Sequence, residues 1–407
     1  MAERAVVVGA SVAGIRTAQA LRAEGYSGSI VVVGDEPELP YDRPPLSKQI
    51  LSGAWDLDRI ALITESAATE AGIELRLGVP ATGLVCADRQ LNLGDGTTLP
   101  YDSLVIATGL SARRPPWPVE SGLFVLRTLS DSAALRERFA RRLPVIFVGA
   151  GFIGAEAASA ARAADCEVTL VDVEPVPMGR VAGAAIGAGL SQLHARRGVR
   201  TRFGVGVRSI TGSEGALTVE LDDGATLHAA VVVAGVGAVP NVGWLAGSDV
   251  PIDDGVVCDE YLRVEGVPAV YACGDVARFP HAGLGRAVRA EHWTNAVDQA
   301  RCVARNIVHP GNPTPYRPSD YAWSDQYDSK LQVVGSPAAA AREETLGDLL
   351  AERPQAATLY ADARGALCGA AVLNWPKALV LCRRLVAEGA DLAAARDQLE
   401  PAGLRTG

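Results

Sequence analysis

Two glycine-rich turns are the parts of this sequence with the clearest chemistry. The first reads Gly-Ala-Ser-Val-Ala-Gly at residues 9–14, and the second reads Gly-Ala-Gly-Phe-Ile-Gly at residues 149–154. Glycines in such turns let backbone N–H groups at a helix N-terminus approach a pyrophosphate. One dinucleotide needs one turn, so the pair predicts two dinucleotide cofactors with electrons passing between them. The residues expected to contact these cofactors are Gly9, Ser11, Ala13, Gly14, Gly149, Gly151, Phe152, Ile153 and Gly154.

Each turn is flanked by the elements that must position it. Apolar runs at residues 5–8 and 145–148 precede the turns and Ala-rich stretches follow them, which predicts a strand, a turn and a helix twice. In the first repeat, a helix at 15–24 leads to a strand at 30–33. Asp35 lies just beyond that strand, where an acidic side chain would hold a ribose hydroxyl.

The second repeat has an acid at the same place. Its helix runs to residue 164, its next strand covers 167–171, and Asp172 follows. This carboxylate can accept both ribose hydroxyls of NAD but would repel the 2′-phosphate of NADP. NADH is therefore favoured over NADPH, and Arg180 is the nearest cation that could contact the adenosine.

The first domain is interrupted by the second. A strand at 269–272 stops at Gly274 and Asp275, and Asp275 would face the carboxyl ends of the first sheet. Beyond Pro318 the pattern changes to antiparallel-looking strands and a terminal helix. We therefore predict an α/β protein with two Rossmann-like dinucleotide-binding domains and a smaller α+β domain. Their predicted bounds are 1–111 with 239–317, 112–238, and 318–407.

Composition limits the functions that remain. The 407 residues are 48% hydrophobic and 21% charged, which is typical of a globular chain of two or three domains. There is no apolar run of membrane-spanning length and no signal-peptide pattern, so we expect a cytoplasmic protein. The net charge of −9 argues against general nucleic-acid binding. Seven scattered cysteines without a CxxC pattern and five scattered histidines predict no disulfide framework, zinc site or iron–sulfur cluster.

Seven short motifs carry a family resemblance. They are Gly-Asp-Glu at 34–36, Pro-Tyr-Asp-Arg-Pro-Pro-Leu-Ser-Lys at 40–48, Ala-Thr-Gly at 107–109, Leu-Arg-Thr at 126–128, Gly-Asp at 274–275, Glu-His-Trp at 291–293 and Trp-Ser-Asp-Gln at 323–326. With these motifs in this order, the sequence resembles the FAD-dependent ferredoxin reductases of the rubredoxin, putidaredoxin and biphenyl-dioxygenase reductase type. The resemblance implies a glutathione-reductase-like fold. In that fold the first turn binds FAD, the second binds NADH, and the C-terminal domain covers the flavin.

The resemblance also implies roles for individual residues. Ser11 replaces the middle glycine of the idealised first turn, a substitution that occurs within this family. The implied FAD contacts are Asp35 at the adenosine ribose, Lys48 near the isoalloxazine, Ala81 at the adenine, Arg127 near the adenosine or phosphate end, Asp275 at the ribityl or pyrophosphate, and the backbone of Trp293 at the ring. Further implied cofactor contacts are Arg43, Ala107, Thr108, Gly109, Gly237, Gly274, Glu291 and Trp323.

Two charged residues are the candidate catalytic groups. Glu156 matches the family glutamate that lies near the nicotinamide carboxamide. We expect Lys48 to stabilise the negative charge of the reduced flavin, paired with Glu156 until NADH displaces it. Hydride transfer from nicotinamide to flavin is chemistry that the cofactors carry, so no general base is required.

The terminal electron acceptor lies outside the chain. Disulfide reductases carry a cysteine pair beside the flavin, but residues 43–50 contain no cysteine. Electrons must then leave singly, and the resemblance implies a [2Fe–2S] ferredoxin that serves a cytochrome P450 or a Rieske oxygenase. Such ferredoxins are usually acidic, so a local basic face is expected on a protein that is monomeric or a weak dimer. The candidates for this face are Arg301, Arg305, Arg383 and Arg384.

Two alternatives belong to other functional classes. An NADH oxidase or peroxidase would want a redox-active cysteine beside the flavin, and the cysteines lie outside the motifs where one would sit. An NADH-sensing flavoprotein would want a long insertion or a targeting segment, and the sequence has neither. Both remain alternatives to the ferredoxin reductase.

Overall fold

A computed structural model describes residues 3–400, which form two compact units. The first unit contains residues 3–43, 57–111 and 238–319, and the second contains 44–56, 112–237 and 320–400. None of the helices in this described part of the chain combines the length and apolar character needed to cross a membrane.

The helices and strands are numbered in chain order. The helices are α1 (Val12–Ala23), α2 (Glu65–Glu70), α3 (Leu129–Ala140), α4 (Phe152–Ala163), α5 (Gly179–Arg196), α6 (Trp293–Val308), α7 (Pro376–Glu388) and α8 (Leu392–Leu399). The strands are β1 (Arg4–Val8), β2 (Ser29–Val33), β3 (Ile73–Arg76), β4 (Ala81–Val85), β5 (Gln90–Leu93), β6 (Thr98–Pro100), β7 (Ser103–Ile106), β8 (Leu110–Ala112), β9 (Leu123–Phe124), β10 (Val145–Val148), β11 (Val168–Asp172), β12 (Arg200–Phe203), β13 (Val207–Thr211), β14 (Leu217–Leu221), β15 (Thr226–Ala229), β16 (Val231–Ala234), β17 (Ala238–Pro240), β18 (Val256–Val257), β19 (Val270–Ala272), β20 (Ala277–His281), β21 (Arg286–Arg289), β22 (Tyr321–Gln326), β23 (Ser329–Gly335), β24 (Arg342–Asp348), β25 (Gln355–Ala361) and β26 (Leu367–Leu373).

The first unit is built on a five-stranded parallel sheet with the order β19-β7-β1-β2-β3. The central strand β1 is an apolar run whose residues Ala5, Val6 and Val7 are fully buried, as expected for a parallel sheet covered on both faces. In this register Val8 lies beside Val33 and Ile106. The chain segments that follow these three strands therefore lie at one edge of the sheet.

The second unit repeats this plan and adds an antiparallel sheet. Its parallel sheet has the order β12-β11-β10-β16-β9, with Val148 beside Val171 and Ala234. The antiparallel sheet has the order β22-β23-β26-β25-β24, and α7 and α8 contribute to the hydrophobic core formed with it. Along β22, Ala322, Ser324 and Gln326 are buried while their neighbours are half-buried. Ser324 is therefore a polar group on the inward face of this strand.

The structure differs from the sequence expectations in some element bounds and in how two segments are grouped. The segment from residue 320 to residue 400, expected within a separate third domain, belongs to the second unit. Helix α1 begins at Val12, three residues before the expected start, because the N–H of Ile15 already donates to the carbonyl of Ser11 at 3.0 Å. Residues 44–56, expected within the first domain, cluster with the second unit. The reason is local packing, since Leu51 joins the core around Leu135 and Ser132 Oγ donates to the carbonyl of Leu46 at 2.9 Å.

Candidate functional site

The first glycine turn is fixed by close backbone packing. Gly9 has φ +117°, and a Cβ there would overlap the carbonyl oxygen of Ala107. A Cβ on Gly14 would overlap the carbonyl oxygen of Gly9. These two positions therefore accept glycine alone, and they set the path of the chain from β1 into α1.

The N-terminus of α1 is open to an anion. Ser11 is the N-cap residue, but its side chain makes no capping hydrogen bond to the first turn of the helix. The N–H groups of that first turn, together with the positive end of the helix dipole, provide the donors that a pyrophosphate needs. The turn therefore fits a dinucleotide phosphate.

A second segment of the first unit returns to the same place. Gly274 follows β19 with φ +76°, and its N–H donates to the buried Gln299 Oε1 at 2.8 Å. A Cβ on Gly274 would lie 2.8 Å from the Cβ of Ala13, so the backbone passes directly against α1. This contact places the half-buried Asp275 beside the first turn.

The motif at 40–48 and its neighbours form a polar cluster in the first unit. Arg43 Nη2 lies 2.5 Å from Glu36 Oε1, and the Tyr41 hydroxyl donates to the same carboxylate. The indole N–H of Trp293 donates to Asp42 Oδ1 at 2.8 Å. Arg43 and Trp293 were expected from the sequence, whereas their carboxylate partners were missed, although both partners lie within the motifs that carry the family resemblance.

The Ala-Thr-Gly strand end is held by a residue that sequence reasoning missed. Thr108 Oγ1 donates to the carbonyl of Asn241 at 2.8 Å, and Asn241 Nδ2 donates to the carbonyl of Thr108 at 2.9 Å. Gly109 follows with φ +60°. Asn241 lies shortly after the Gly-Val-Gly segment at residues 235–237, and this closeness in sequence is the signal that could have identified it.

Four other proposed residues of this site lie in different local settings. Asp35 is exposed just after β2, and Ala81 is the first residue of β4. Glu291 is paired with Arg289 at 2.7 Å. Arg127 belongs to the second unit, where its N–H donates to Asp131 Oδ2 at 3.0 Å ahead of α3. The structure thus places Arg127 at the start of a helix in the second unit.

The second glycine turn repeats the backbone geometry of the first. A Cβ on Gly149 would overlap the carbonyl oxygen of Gly235, and one on Gly154 would overlap that of Gly149. Gly151 is the N-cap of α4 and has open space where its Cβ would be. Next to Phe152, Ile153 is 38% exposed. This turn leaves room for a pyrophosphate at the helix N-terminus.

Asp172 is tied to the second turn. Its Oδ2 accepts from the N–H of Ala150 at 2.5 Å, and its Oδ1 accepts from the N–H of Glu174 at 2.9 Å. Arg180, at the start of α5, forms an ion pair with Glu174 at 2.6 Å. Gly237 has φ +103° and lies in the same unit. The acid therefore lies at the carboxyl edge of the sheet, next to the turn.

A buried ion pair in the second unit joins the two candidate catalytic residues. Lys48 Nζ lies 2.8 Å from Glu156 Oε2, and the Glu156 side chain is only 3% exposed. Ser47 Oγ donates to Glu156 Oε2 at 2.5 Å, and Ser324 Oγ donates to Oε1 at 2.8 Å. The two serines were missed because they read as ordinary polar residues, although each belongs to a quoted motif.

The environment of Glu156 raises the pKa of its carboxyl. Burial raises the pKa of the Glu156 carboxyl, and Lys48 with the hydrogen bonds of the two serines lowers it only in part. Removing one partner of a buried pair leaves an uncompensated charge, which costs about 3–5 kcal/mol in typical cases. Lys48 and Glu156 therefore depend on each other.

Trp323 lies one residue before Ser324 on the same strand. Its ring is stacked against Tyr321 at a centroid separation of 6.0 Å, and Arg383 of α7 lies 5.2 Å above the Tyr321 ring. The outer face of β22 thus carries two aromatic rings, with Arg383 over one of them. The inner face carries Ser324, which donates to Glu156.

Comparison with known proteins identifies the family. Residues 3–300 match the family of pyridine nucleotide-disulphide oxidoreductases, and residues 321–405 match the reductase C-terminal family. The chain belongs to the pyridine nucleotide-disulphide oxidoreductase family. The predicted fold class and the predicted resemblance are both confirmed.

Three relatives within this oxidoreductase family are informative. Rhodocoxin reductase of Rhodococcus erythropolis is 39% identical over 82% of this chain and 78% of its own length. The ferredoxin–NAD(+) reductase component of the anthranilate 1,2-dioxygenase system of Burkholderia cepacia is 36% identical over 95% of this chain and 94% of its own. A crystal structure of the covalent putidaredoxin reductase–putidaredoxin complex matches with a TM-score of 0.92 and 30% identity, covering 98% of this chain and 97% of the other.

The seven cysteines all lie within the described residues 3–400. All seven are free, and burial raises the pKa of the Cys273 and Cys382 thiols to about 12 and that of Cys302 to about 11. Raised pKa values keep these thiols protonated and unreactive at neutral pH. Among residues 3–400, no three His, Cys, Asp or Glu side chains come together to hold a metal ion.

Proposed function

We propose that this protein is an FAD-dependent NADH:ferredoxin reductase that supplies electrons to an oxygenase. The observation that carries the proposal is the presence of two glycine turns in one chain, each at a helix N-terminus without a side-chain cap, and each followed by an acid at or just beyond the end of the next parallel strand. Relatives that cover most of the chain are ferredoxin–NAD(+) reductase components. The reaction converts NADH and two oxidised ferredoxins into NAD+, two reduced ferredoxins and one proton.

The first unit supplies the residues that would hold FAD. The pyrophosphate fits the turn between Gly9 and Gly14 at the uncapped N-terminus of α1. Asp35 would lie toward the ribose, and Asp275 would lie toward the ribityl chain. Glycine at position 274 lets the returning segment pack against the first turn, because a side chain there would meet Ala13. When bound, FAD accepts a hydride and gives up electrons one at a time, which no side chain of the described residues can do.

The second unit supplies the residues that would bind NADH and tune the reaction. The α4 N-terminus and Asp172 fit the pyrophosphate and the adenosine ribose. Lys48, whose side chain is 11% exposed, contributes a positive charge, and the buried Glu156 holds that charge in place through a 2.8 Å contact. A fixed positive charge in a low-dielectric site stabilises developing negative charge far better than one in water.

The electron acceptor we propose is a [2Fe–2S] ferredoxin. The aromatic face of β22 and the neighbouring helix α7, where Val380 is 69% exposed beside Arg383 and Arg384, offer a basic and apolar surface in the second unit. Arg301 and Arg305 of α6 are the candidates in the first unit. An acidic ferredoxin fits such cations. We propose that the reductase acts as a monomer or weak dimer, which light scattering during gel filtration would test.

A steady-state assay of the purified holoprotein tests this proposal. NADH and NADPH are compared with and without a [2Fe–2S] ferredoxin, with cytochrome c as the final acceptor. We expect fast cytochrome c reduction that needs ferredoxin and prefers NADH. Slow oxygen consumption without a ferredoxin effect would favour an NADH oxidase, and a persistent charge-transfer band would favour an NADH sensor.

A further inference from the structure

A buried histidine of the second unit lies outside the contacts described so far. His194 is in the last turn of α5 and is fully buried. Burial lowers the pKa of its imidazole to about 4, and a contact with Gln326 opposes this shift only in part. At neutral pH the ring therefore carries one N–H and one lone pair, so it can donate from one nitrogen and accept at the other.

The Nδ1 atom of His194 is paired with a tyrosine. It lies 2.8 Å from the Tyr327 hydroxyl, and the two rings meet edge to face with their centroids 5.4 Å apart. Burial raises the pKa of the Tyr327 hydroxyl, although the positive charges of Arg162 and Arg197 lower it in part. The hydroxyl therefore keeps its proton and can donate it to the lone pair of Nδ1, which leaves the imidazole proton on Nε2.

The other nitrogen of His194 has one suitable partner, Gln326 at the end of β22. Among residues 3–400, Nε2 of His194 and Oε1 of Gln326 are both buried, and no hydrogen bond of good geometry reaches either atom. The two side chains nevertheless interact, because Gln326 raises the pKa of His194 through a hydrogen-bonding contact. Leaving a buried donor or acceptor unpaired is costly, so a small rotation that joins these two atoms is favoured.

From Gln326 the hydrogen bonds continue to the buried carboxylate. Gln326 Nε2 donates to Ser324 Oγ at 3.1 Å, and Ser324 Oγ donates to Glu156 Oε1 at 2.8 Å. Ser324 has a single hydroxyl proton. If the Gln326 amide were turned round, its oxygen would compete with Glu156 for that proton. The orientation of this amide therefore decides how well the Glu156 carboxylate is stabilised.

We propose that His194 is a positioning residue for Glu156, because its Nε2–H fixes the Gln326 amide in the orientation that leaves the Ser324 proton for the carboxylate. Every donor of this network then points from Tyr327 toward Glu156. Hydrogen bonds to a carboxylate favour its ionised form, so the network keeps Glu156 charged and paired with Lys48 despite its burial. The effect on flavin reduction rests on the proposed function.

Nitrogen NMR of the oxidised holoprotein, labelled with 15N-histidine, tests the first step. The sequence has five histidines, and their two-bond couplings distinguish a ring protonated at Nε2 from one protonated at Nδ1. The His194 signal is the one that is lost in His194→Gln. We expect a neutral ring protonated at Nε2 from about pH 5.5 to pH 8. A ring protonated at Nδ1 in this range overturns the proposal.

Two variants of similar chemistry test the effect on Glu156. The amide of His194→Gln reaches the place of Nε2 and can donate to Gln326, whereas the shorter His194→Asn reaches only the place of Nδ1. Ser159→Ala is the matched control. Ser159 Oγ accepts from the N–H of Tyr327 at 2.6 Å, so this variant disturbs the same contact between α4 and β22 but leaves the network intact. Each protein is unfolded by urea at several pH values, and anaerobic stopped flow follows flavin reduction by NADH.

We expect the pKa of Glu156 to rise by about one pH unit in His194→Asn. A carboxyl with a raised pKa in the folded state loses its stabilising contribution as pH rises, so the stability deficit of His194→Asn should grow with pH. Flavin reduction at pH 7 should be about fivefold slower in this variant. His194→Gln and Ser159→Ala should keep the pH dependence and the rate of the wild type.

Two results would overturn the role of His194. One is a deficit of the same size at every pH in His194→Asn, because lost packing alone would explain it. The other is equal behaviour of His194→Asn and His194→Gln, because the position of the donor would then have no effect. If NADH fails to reduce the flavin of the wild type, the proposed function is wrong, while the NMR and unfolding measurements still decide the role of His194.

Discussion

The two glycine turns share a backbone but differ in what surrounds them. In both, the first and last glycines are forced by overlap with neighbouring carbonyl oxygens. The first turn has the half-buried Ser11 at its centre, and Gly274 presses against Ala13. The second has the exposed Gly151 at its centre with Ile153 beside it, also exposed. The first turn is enclosed by a returning segment of its own unit, while the second is open.

This difference corresponds to two kinds of cofactor. A flavin must stay bound through many turnovers, so enclosure of its phosphates by a second segment is useful. A nicotinamide nucleotide must enter and leave in every cycle, so its site has to be accessible. On the proposed assignment of FAD to the first turn and NADH to the second, the same strand–turn–helix repeat would serve retention in one place and exchange in the other, and the surrounding segments would make the difference.

The largest expected effect comes from adding one methyl group to the last glycine of each turn. Gly14→Ala and Gly154→Ala both force a Cβ into a backbone carbonyl, which costs about 1–3 kcal/mol of stability or shifts the helix N-terminus. We expect Gly14→Ala to abolish FAD retention. We expect Gly154→Ala to keep the flavin but to lose its reduction by NADH.

The ratio of flavin absorbance to protein absorbance and anaerobic stopped-flow reduction distinguish the two variants. Dithionite should still reduce the flavin of Gly154→Ala, which serves as the control for an intact first site. If Gly154→Ala lost its flavin while Gly14→Ala kept it, the assignment of the two turns would be reversed.

The second prediction concerns the buried pair. Lys48→Met leaves Glu156 without its cation, so the pKa of Glu156, already raised by burial, should rise further. A carboxyl with a raised pKa in the folded state stabilises the protein below its ordinary pKa of 4.5 and loses that contribution as pH rises through the folded value. The stability deficit of Lys48→Met should therefore grow from pH 4.5 upward, toward about 3–5 kcal/mol. Urea unfolding at several pH values measures it.

The same variant tests the role of Lys48 in the reaction. Loss of a positive charge from a largely buried site should slow flavin reduction by NADH roughly 100-fold and lower the flavin potential. The control is the double variant Lys48→Met/Glu156→Gln. Because it lacks the titrating carboxyl, its free energy of unfolding should no longer depend on pH through this site, while the rate of flavin reduction should stay low. An unchanged rate together with an unchanged potential in Lys48→Met would remove Lys48 from the mechanism.

Much of the framework could be predicted from the sequence because it depends on local patterns. The strands beside both turns are short Val-rich runs, and the acid Asp172 lies at the end of the next strand, at the spacing from the glycine turn that the repeat requires. Arg180 could also be identified as a candidate cation, because it lies close to Asp172 in the sequence. Its ion pair with Glu174 could not be predicted, because it depends on how the chain turns into α5.

The supports of the buried pair could not be predicted, since they come from distant segments. Ser47 and Ser324 are 277 residues apart in the sequence, yet the hydroxyls of both donate to the Glu156 carboxylate. Likewise, residues 44–56 were expected in the first domain, but Leu51 packs into the core around α3. Such placements are decided by tertiary packing, which single-sequence patterns do not contain.

A third, smaller effect separates the candidate docking cations. Arg305, in the first unit, faces Glu24 at 3.9 Å, whereas Arg383, in the second, lies over an aromatic ring. Charge reversal at either residue should raise the KM for ferredoxin at low salt by roughly three- to tenfold, with the larger effect at Arg383, and the difference should shrink at high salt. NADH-dependent ferricyanide reduction is the control. If both activities fell together, these cations would not belong to the docking surface.

The smallest effect exchanges the central residues of the two turns. Gly151→Ser gives the open turn the residue that the enclosed turn carries, and the protein should fold with unchanged stability because no atom lies within 4 Å of the added Cβ. The side chain would enter the space needed for close approach of the pyrophosphate. We expect a rise in the KM for NADH of about fivefold, equivalent to the loss of roughly one hydrogen bond of 1 kcal/mol. The reciprocal Ser11→Gly should leave flavin retention within about twofold, because enclosure by Gly274 does not depend on the serine side chain. An unchanged KM in Gly151→Ser would show that the central residue of the second turn does not limit NADH binding. Flavin loss in Ser11→Gly would show that the serine, and not the enclosure by Gly274, retains the flavin.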